Sequence, residues 1–74
     1  MNDNKQLINI LRIINNFRNP MRTDDGFSDS DIQLIIQLKD EDYITGNWAY
    51  TRTLPITNIR PTIKGRKYQE ELER

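Results

Sequence analysis

The sequence predicts a single α+β domain, residues 1–74, in which helices bracket a two-stranded hairpin. Three observations predict it. Apolar residues recur at helical spacing near the N-terminus, a Ser- and Asp-led second helix runs into an aromatic and β-branched stretch, and a Thr-led amphipathic segment closes the chain. A chain of this size buries only about 60% of the surface its unfolded form exposes, so the core must be thin.

The first element is expected over about Asp3–Phe17, where Leu7, Ile10, Leu11, Ile14 and Phe17 form one helix face. Ile8 and Ile13 lie off that stripe, which leaves the helix apolar over more than half its circumference. Two explanations stay open: packing against two elements of the same chain, or a place in a subunit interface. Asn19-Pro20 stops the helix, because a residue before proline is pushed out of the helical region. Turn formers follow, with Met21 and Phe27 as expected core anchors and no room for a full helix.

The second helix starts at Ser28-Asp29-Ser30-Asp31, where Ser28 or Ser30 can accept first-turn N–H groups and the aspartates suit the positive end of the dipole. Ile32, Leu34, Ile35, Ile36 and Leu38 supply its buried side, and it is expected to end near Asp42. Tyr43–Tyr50 and Leu54–Ile59 read as paired strands, with the tip between Ala49 and Thr53. Pro55 lacks a ladder donor and is expected at an edge or at the strand start. Thr62 caps the last helix, which should return Ile63, Tyr68 and Leu72 to the core. Gly65 in its first turn costs about 1 kcal/mol in propensity, which implies close approach to a neighbouring backbone.

Composition narrows the chemistry. There is no Cys and no His, so disulfides, thiolate chemistry and the commonest metal ligand are out. No apolar run approaches the roughly 20 residues of a membrane span, and the start Met1-Asn2-Asp3-Asn4-Lys5 lacks a signal-peptide pattern. A cytoplasmic location is the expectation. The remaining general acid–base candidates are carboxylates, and Asp24-Asp25 and Asp40-Glu41-Asp42 read as a solvated loop and a helix end, so no enzyme activity is expected. No cofactor, metal or small-molecule substrate is implied. Formal net charge is zero, but unevenly spread. Residues 1–23 carry +3, residues 24–42 carry −6, and residues 43–67 hold five cations and no acid.

Two segments carry a resemblance. Leu38-Lys39-Asp40-Glu41-Asp42-Tyr43-Ile44-Thr45-Gly46 resembles the end of a winged-helix recognition helix turning into the first wing strand. Pro61-Thr62-Ile63-Lys64-Gly65-Arg66-Lys67-Tyr68 resembles the opening of the last helix in such domains. Together they are similar to the YjcQ family of small winged-helix proteins of Gram-positive bacteria and their phages, over roughly residues 5–73. The segment before the second helix is shorter than the pattern, and Pro61 stands where leucine is usual. The resemblance implies a winged helix, the helix-turn-helix variant with a two-stranded wing and a C-terminal helix, and by analogy a DNA-binding role in transcription regulation.

On that layout the second helix would enter the major groove. It would offer Ser30, Gln33 and Gln37, and glutamine can bond adenine through N6 and N7. Arg52 at the wing tip would reach a phosphate or the minor groove, and Lys64, Arg66 and Lys67 at the start of the last helix, with Arg18 and Arg22, would grip the backbone. Double-stranded DNA is then the implied partner, with a homodimer to supply enough contacts. Asp29 and Asp31 oppose this, because they would face one phosphate charge per roughly 1.7 Å of duplex. Trp48 and Tyr50 carry the alternative, a protein-interaction or dimerisation module without DNA binding. A further option is that Trp48 folds back over the first helix.

Overall fold

A computed structural model describes residues 2–16, 21–24 and 26–74. Three helices and a two-stranded antiparallel sheet follow in the order α1 (Asn2–Asn16), α2 (Asp29–Asp40), β1 (Ile44–Tyr50), β2 (Thr53–Pro61) and α3 (Ile63–Leu72). Phe17 and the expected Asn19-Pro20 stop lie outside the described residues. Among the described helices none is long and apolar enough to cross a membrane.

The core is wholly aliphatic: Ile10, Leu11, Ile14, Ile35, Leu38, Ile44, Ile56 and Ile59. Leu7, Met21, Phe27, Trp48, Tyr68 and Leu72 pack around it, half-buried. The expected α1 stripe therefore faces inward. Its excess of apolar surface has a local explanation, because α1 packs against α2, α3 and β2 within one chain.

Helix α2 begins as a reciprocal cap. The Ser28 hydroxyl accepts from the Asp31 backbone N–H, and the Asp31 carboxylate accepts from the Ser28 N–H. Its C-terminus comes two residues before the expected one. Asp42 turns into the left-handed region at φ 64°, the Asp42 N–H donates to the Lys39 carbonyl, and the Tyr43 N–H donates to the Leu38 carbonyl. That pair of bonds closes the helix and aims the chain into β1.

Strand β2 runs through the middle of the hydrogen-bonded layer. On one side it pairs with β1. On the other, Met21 and Ile59 exchange two backbone bonds of 3.1 and 2.8 Å, while the Ile56 carbonyl accepts from the Thr23 N–H and the Ile56 N–H donates to the Thr23 hydroxyl. Thr23 is buried to supply that hydroxyl. The register of β1 against β2 shifts twice, and at each shift the extra residue lies on β2: once at Asn58–Ile59 opposite Gly46, once at Leu54–Pro55 opposite Ala49. Pro55, the third residue of a strand in this two-stranded sheet, thus stands near the expected strand start and within a bulge, a position that needs no ladder donor. The first bulge holds Asn58 at φ 57°, a conformation Asn tolerates. It also lets Ile56 and Ile59, three residues apart, both face the core, which strict alternation would forbid.

Helix α3 starts as expected, with the Thr62 hydroxyl accepting from the Gly65 N–H at 2.9 Å. Ile63 does not return to the core; it is 77% exposed. Gly65, Tyr68 and Leu72 share the stripe that does, and at 100° per residue Ile63 lies about 200° from Gly65. At Gly65 the expected close approach is present, because a Cβ there would overlap the Tyr43 carbonyl group, 2.9 Å from its carbon. Gly65→Ala should therefore destabilise the fold by about 1–3 kcal/mol despite alanine's better helix propensity. Thermal unfolding checks it: Gly65→Ala loses several degrees or more, while Arg66→Ala beside it stays close to wild type.

Candidate interaction surface on α2, the wing and α3

The two segments that carry the family resemblance meet in space. The Thr62 hydroxyl lies 2.9 Å from the Tyr43 carbonyl oxygen and 3.1 Å from that of Asp42, and Gly65 backs onto the same Tyr43 carbonyl. The Tyr43 and Tyr68 rings stack at 4.1 Å and 8°. Lys64 donates to the Glu41 carbonyl at 2.8 Å and stands 4.9 Å from the Tyr43 ring centre. A cation on the last carbonyls of α2 complements the negative end of its dipole. Lys64 thus fastens α3 to α2 at the point where the chain enters the hairpin.

Arg52, expected at a wing tip, lies at the tip of the hairpin, and its guanidinium folds back. It pairs with Asp40 at 3.4 Å and lies 5.2 Å over the Trp48 ring. Lys39 stands 6.0 Å from the same ring. Trp48 is half-buried and packs against the aliphatic core that α1, α2 and the hairpin share, with Lys39 of α2 and Arg52 of the hairpin tip beside its ring. Tyr50 points out and is 77% exposed, and Leu54 near the tip is 44% exposed. Leu54 and Pro55 line a shallow groove of about 270 Å³ with Thr23, Asp24 and Ile32.

On α2, Ser30, Gln33 and Gln37 are exposed, and at spacings of three and four they share one face. Ser30 is tied to α1 by a 2.9 Å bond from the Gln6 amide, which also donates to Asp31 at 2.7 Å. Asp29, Asp40, Glu41 and Asp42 are all exposed at the two ends of this helix. The α3 cations diverge. Lys64 and Lys67 border Tyr43, Tyr68 and Glu71, whereas Arg66 borders Asn15, Asn16, Gln69 and Glu70 on the α1 side. Arg22 forms a two-bond pair with Asp24 at 2.9 and 3.0 Å, and Arg18 and Asp25 lie outside the described residues. Sequence reasoning missed the clasp between α1 and α3, in which Arg12 pairs with Glu73 and the Asn15 amide donates to Gln69. The Arg12 bond, then that of Gln69, holds the Glu73 carboxyl below its ordinary value.

Comparison with protein-family models, with curated proteins and with solved structures finds no match to this chain. What the surface can do is therefore argued from its own residues.

Asp31 supplies a pH test of the α1–α2 junction. The Gln6 hydrogen bond does most to hold its carboxyl below the usual value; burial, the next effect in size, opposes it, and the bonds of the Ser28 backbone and hydroxyl add to the lowering. A carboxyl whose folded value is depressed adds stability above its unfolded value and loses it as pH falls through the folded one. Asp31→Asn should then lower stability at neutral pH and flatten the loss on acidification below about pH 4, as followed by urea unfolding at stepped pH. An acid limb as steep as wild type would contradict the assignment.

Proposed function

We propose that this chain is a winged-helix-like module, similar to the YjcQ family, that acts by binding a protein and does no chemistry. The element order supports the layout, with Met21–Thr23 lying along β2, the hairpin as wing, and α3 locked behind it. One observation carries the choice of partner. Two cations a groove-reading layout would use are engaged within the chain although exposed, Arg52 of the hairpin on Asp40 and Trp48 and Lys64 of α3 on the Glu41 carbonyl, while Tyr50 and Leu54 are exposed with no such engagement of their side chains among the described residues.

The charge around α2 supports the same choice. Its exposed ends carry Asp29, Asp40, Glu41 and Asp42, a repulsive surface for a polyanion. Asp31 is spent on the helix cap. An exposed tyrosine on a thin hairpin is a residue type that anchors protein contacts, and Leu54 adds apolar area beside it.

Duplex DNA is the second reading, favoured by the uncharged face of Gln33 and Gln37 and by Arg66 and Lys67 on α3. An exposed ion pair contributes only about 0–1 kcal/mol, so Arg52 can leave Asp40 at little cost. Two assays separate the readings. Panning a displayed peptide library should enrich binders that are lost on combined Tyr50→Ser and Leu54→Ser substitution, with the circular dichroism spectrum unchanged. Anisotropy of a labelled duplex should show no saturable binding at about 50 mM salt. Saturable binding that collapses by about 200 mM salt and on Arg52, Lys64 and Arg66 to alanine overturns the protein reading in favour of DNA.

A further inference from the structure

Each strand residue owns one donor and one acceptor, so the bonds of the hairpin can be traced residue by residue. Ile56 spends its N–H and its carbonyl on Thr23. Its cross-strand partner Trp48 is therefore at a non-hydrogen-bonded pair and turns its own N–H and carbonyl away from β2. Gly46, two residues earlier, faces the same way by alternation. No backbone bond among the described residues reaches this outer edge of β1, and the sheet ends there.

Among the described residues, β1 itself carries none of the usual local protection. Edge strands are usually blunted by charge, proline or a bulge. Ile44–Tyr50 has no charged residue and no proline, and both bulges lie on β2.

From this we infer that β1 pairs antiparallel with β1 of a second copy of the chain, making a four-stranded sheet about a two-fold axis at Asn47. This rests on the wing being a protein-contact element and names its partner. Three features select the second copy and the register. Asn47 is the midpoint of Ile44–Tyr50, so this register overlaps the whole strand. It places Gly46 of each copy opposite Trp48 of the other, joining the outward donors and acceptors of both and covering a glycine with an indole. It also brings Arg52 of one wing tip opposite Asp42 at the foot of the other copy's strand, cation against acid, while an uncharged edge meets itself without repulsion.

Asn47 is exposed, and at the axis it would face its own symmetry mate across a non-hydrogen-bonded pair, where side chains come closest. Sedimentation equilibrium of the full chain between about 10 μM and about 1 mM should show a monomer passing into a dimer. Asn47→Lys and Asn47→Glu should each weaken that association about tenfold or more, because like charges would sit directly opposite. An equimolar mixture of the two variants should recover it. A wild-type chain that stays monomeric throughout, or a dimer indifferent to both substitutions, overturns the pairing. A monomer that still holds wing-binding peptides overturns the pairing alone and leaves the protein reading standing. A dimer obeying the charge-swap pattern in a chain that binds no other peptide upholds the pairing with the second copy as the wing's partner.

Discussion

The Tyr43 carbonyl is the point on which the three-dimensional arrangement depends. It receives the Thr62 hydroxyl and lies against the bare Cα of Gly65, while its own side chain stacks on Tyr68. Helix α3 can come this near only because residue 65 has no Cβ. The cost of a glycine in a helix, about 1 kcal/mol, is offset by the packing it permits. With α3 so placed, Arg12–Glu73 and Asn15–Gln69 can form against α1, and Lys64 reaches the end of α2. The junction thus fixes the hairpin's foot against α2 and α3.

That placement changes what the lysine of the Thr-x-Lys-Gly-x-x-Tyr segment is for. Lys64 stands on a helix end and an aromatic ring, so its presence in the pattern needs no phosphate. A motif read as the opening of a DNA-binding helix is accounted for by the geometry of a chain joint. On the hairpin, Tyr50 is exposed and the outer edge of β1 has no partner strand among the described residues.

What was legible in the sequence was what local chemistry decides. The α1 stripe, the Ser28 and Thr62 caps and the close approach at Gly65 follow from spacing, side-chain oxygens and a missing Cβ. What was not legible depends on the position of other elements. Ile63 looks like a core residue until the α3 stripe is set by Gly65 and Tyr68. Arg52 and Lys64 read as surface cations because nothing local reveals that Asp40 and the Glu41 carbonyl lie within reach. Thr23 carried no signal, since a threonine standing in for a strand partner looks like any turn threonine. For the candidate site, the sequence located the polar α2 face and the wing aromatics, but not which of them fold inward.

The bulges in β2 carry a consequence for how this hairpin can change. Nine residues of β2 answer seven of β1, and the surplus is what keeps both Ile56 and Ile59 turned inward. Inward and outward are here a matter of counting along the chain. Most single replacements at the exposed positions of β2 preserve that count, whereas removal of one residue between Ile56 and Ile59 would put the strand out of phase with its own core. The hairpin is tolerant of spelling and intolerant of length.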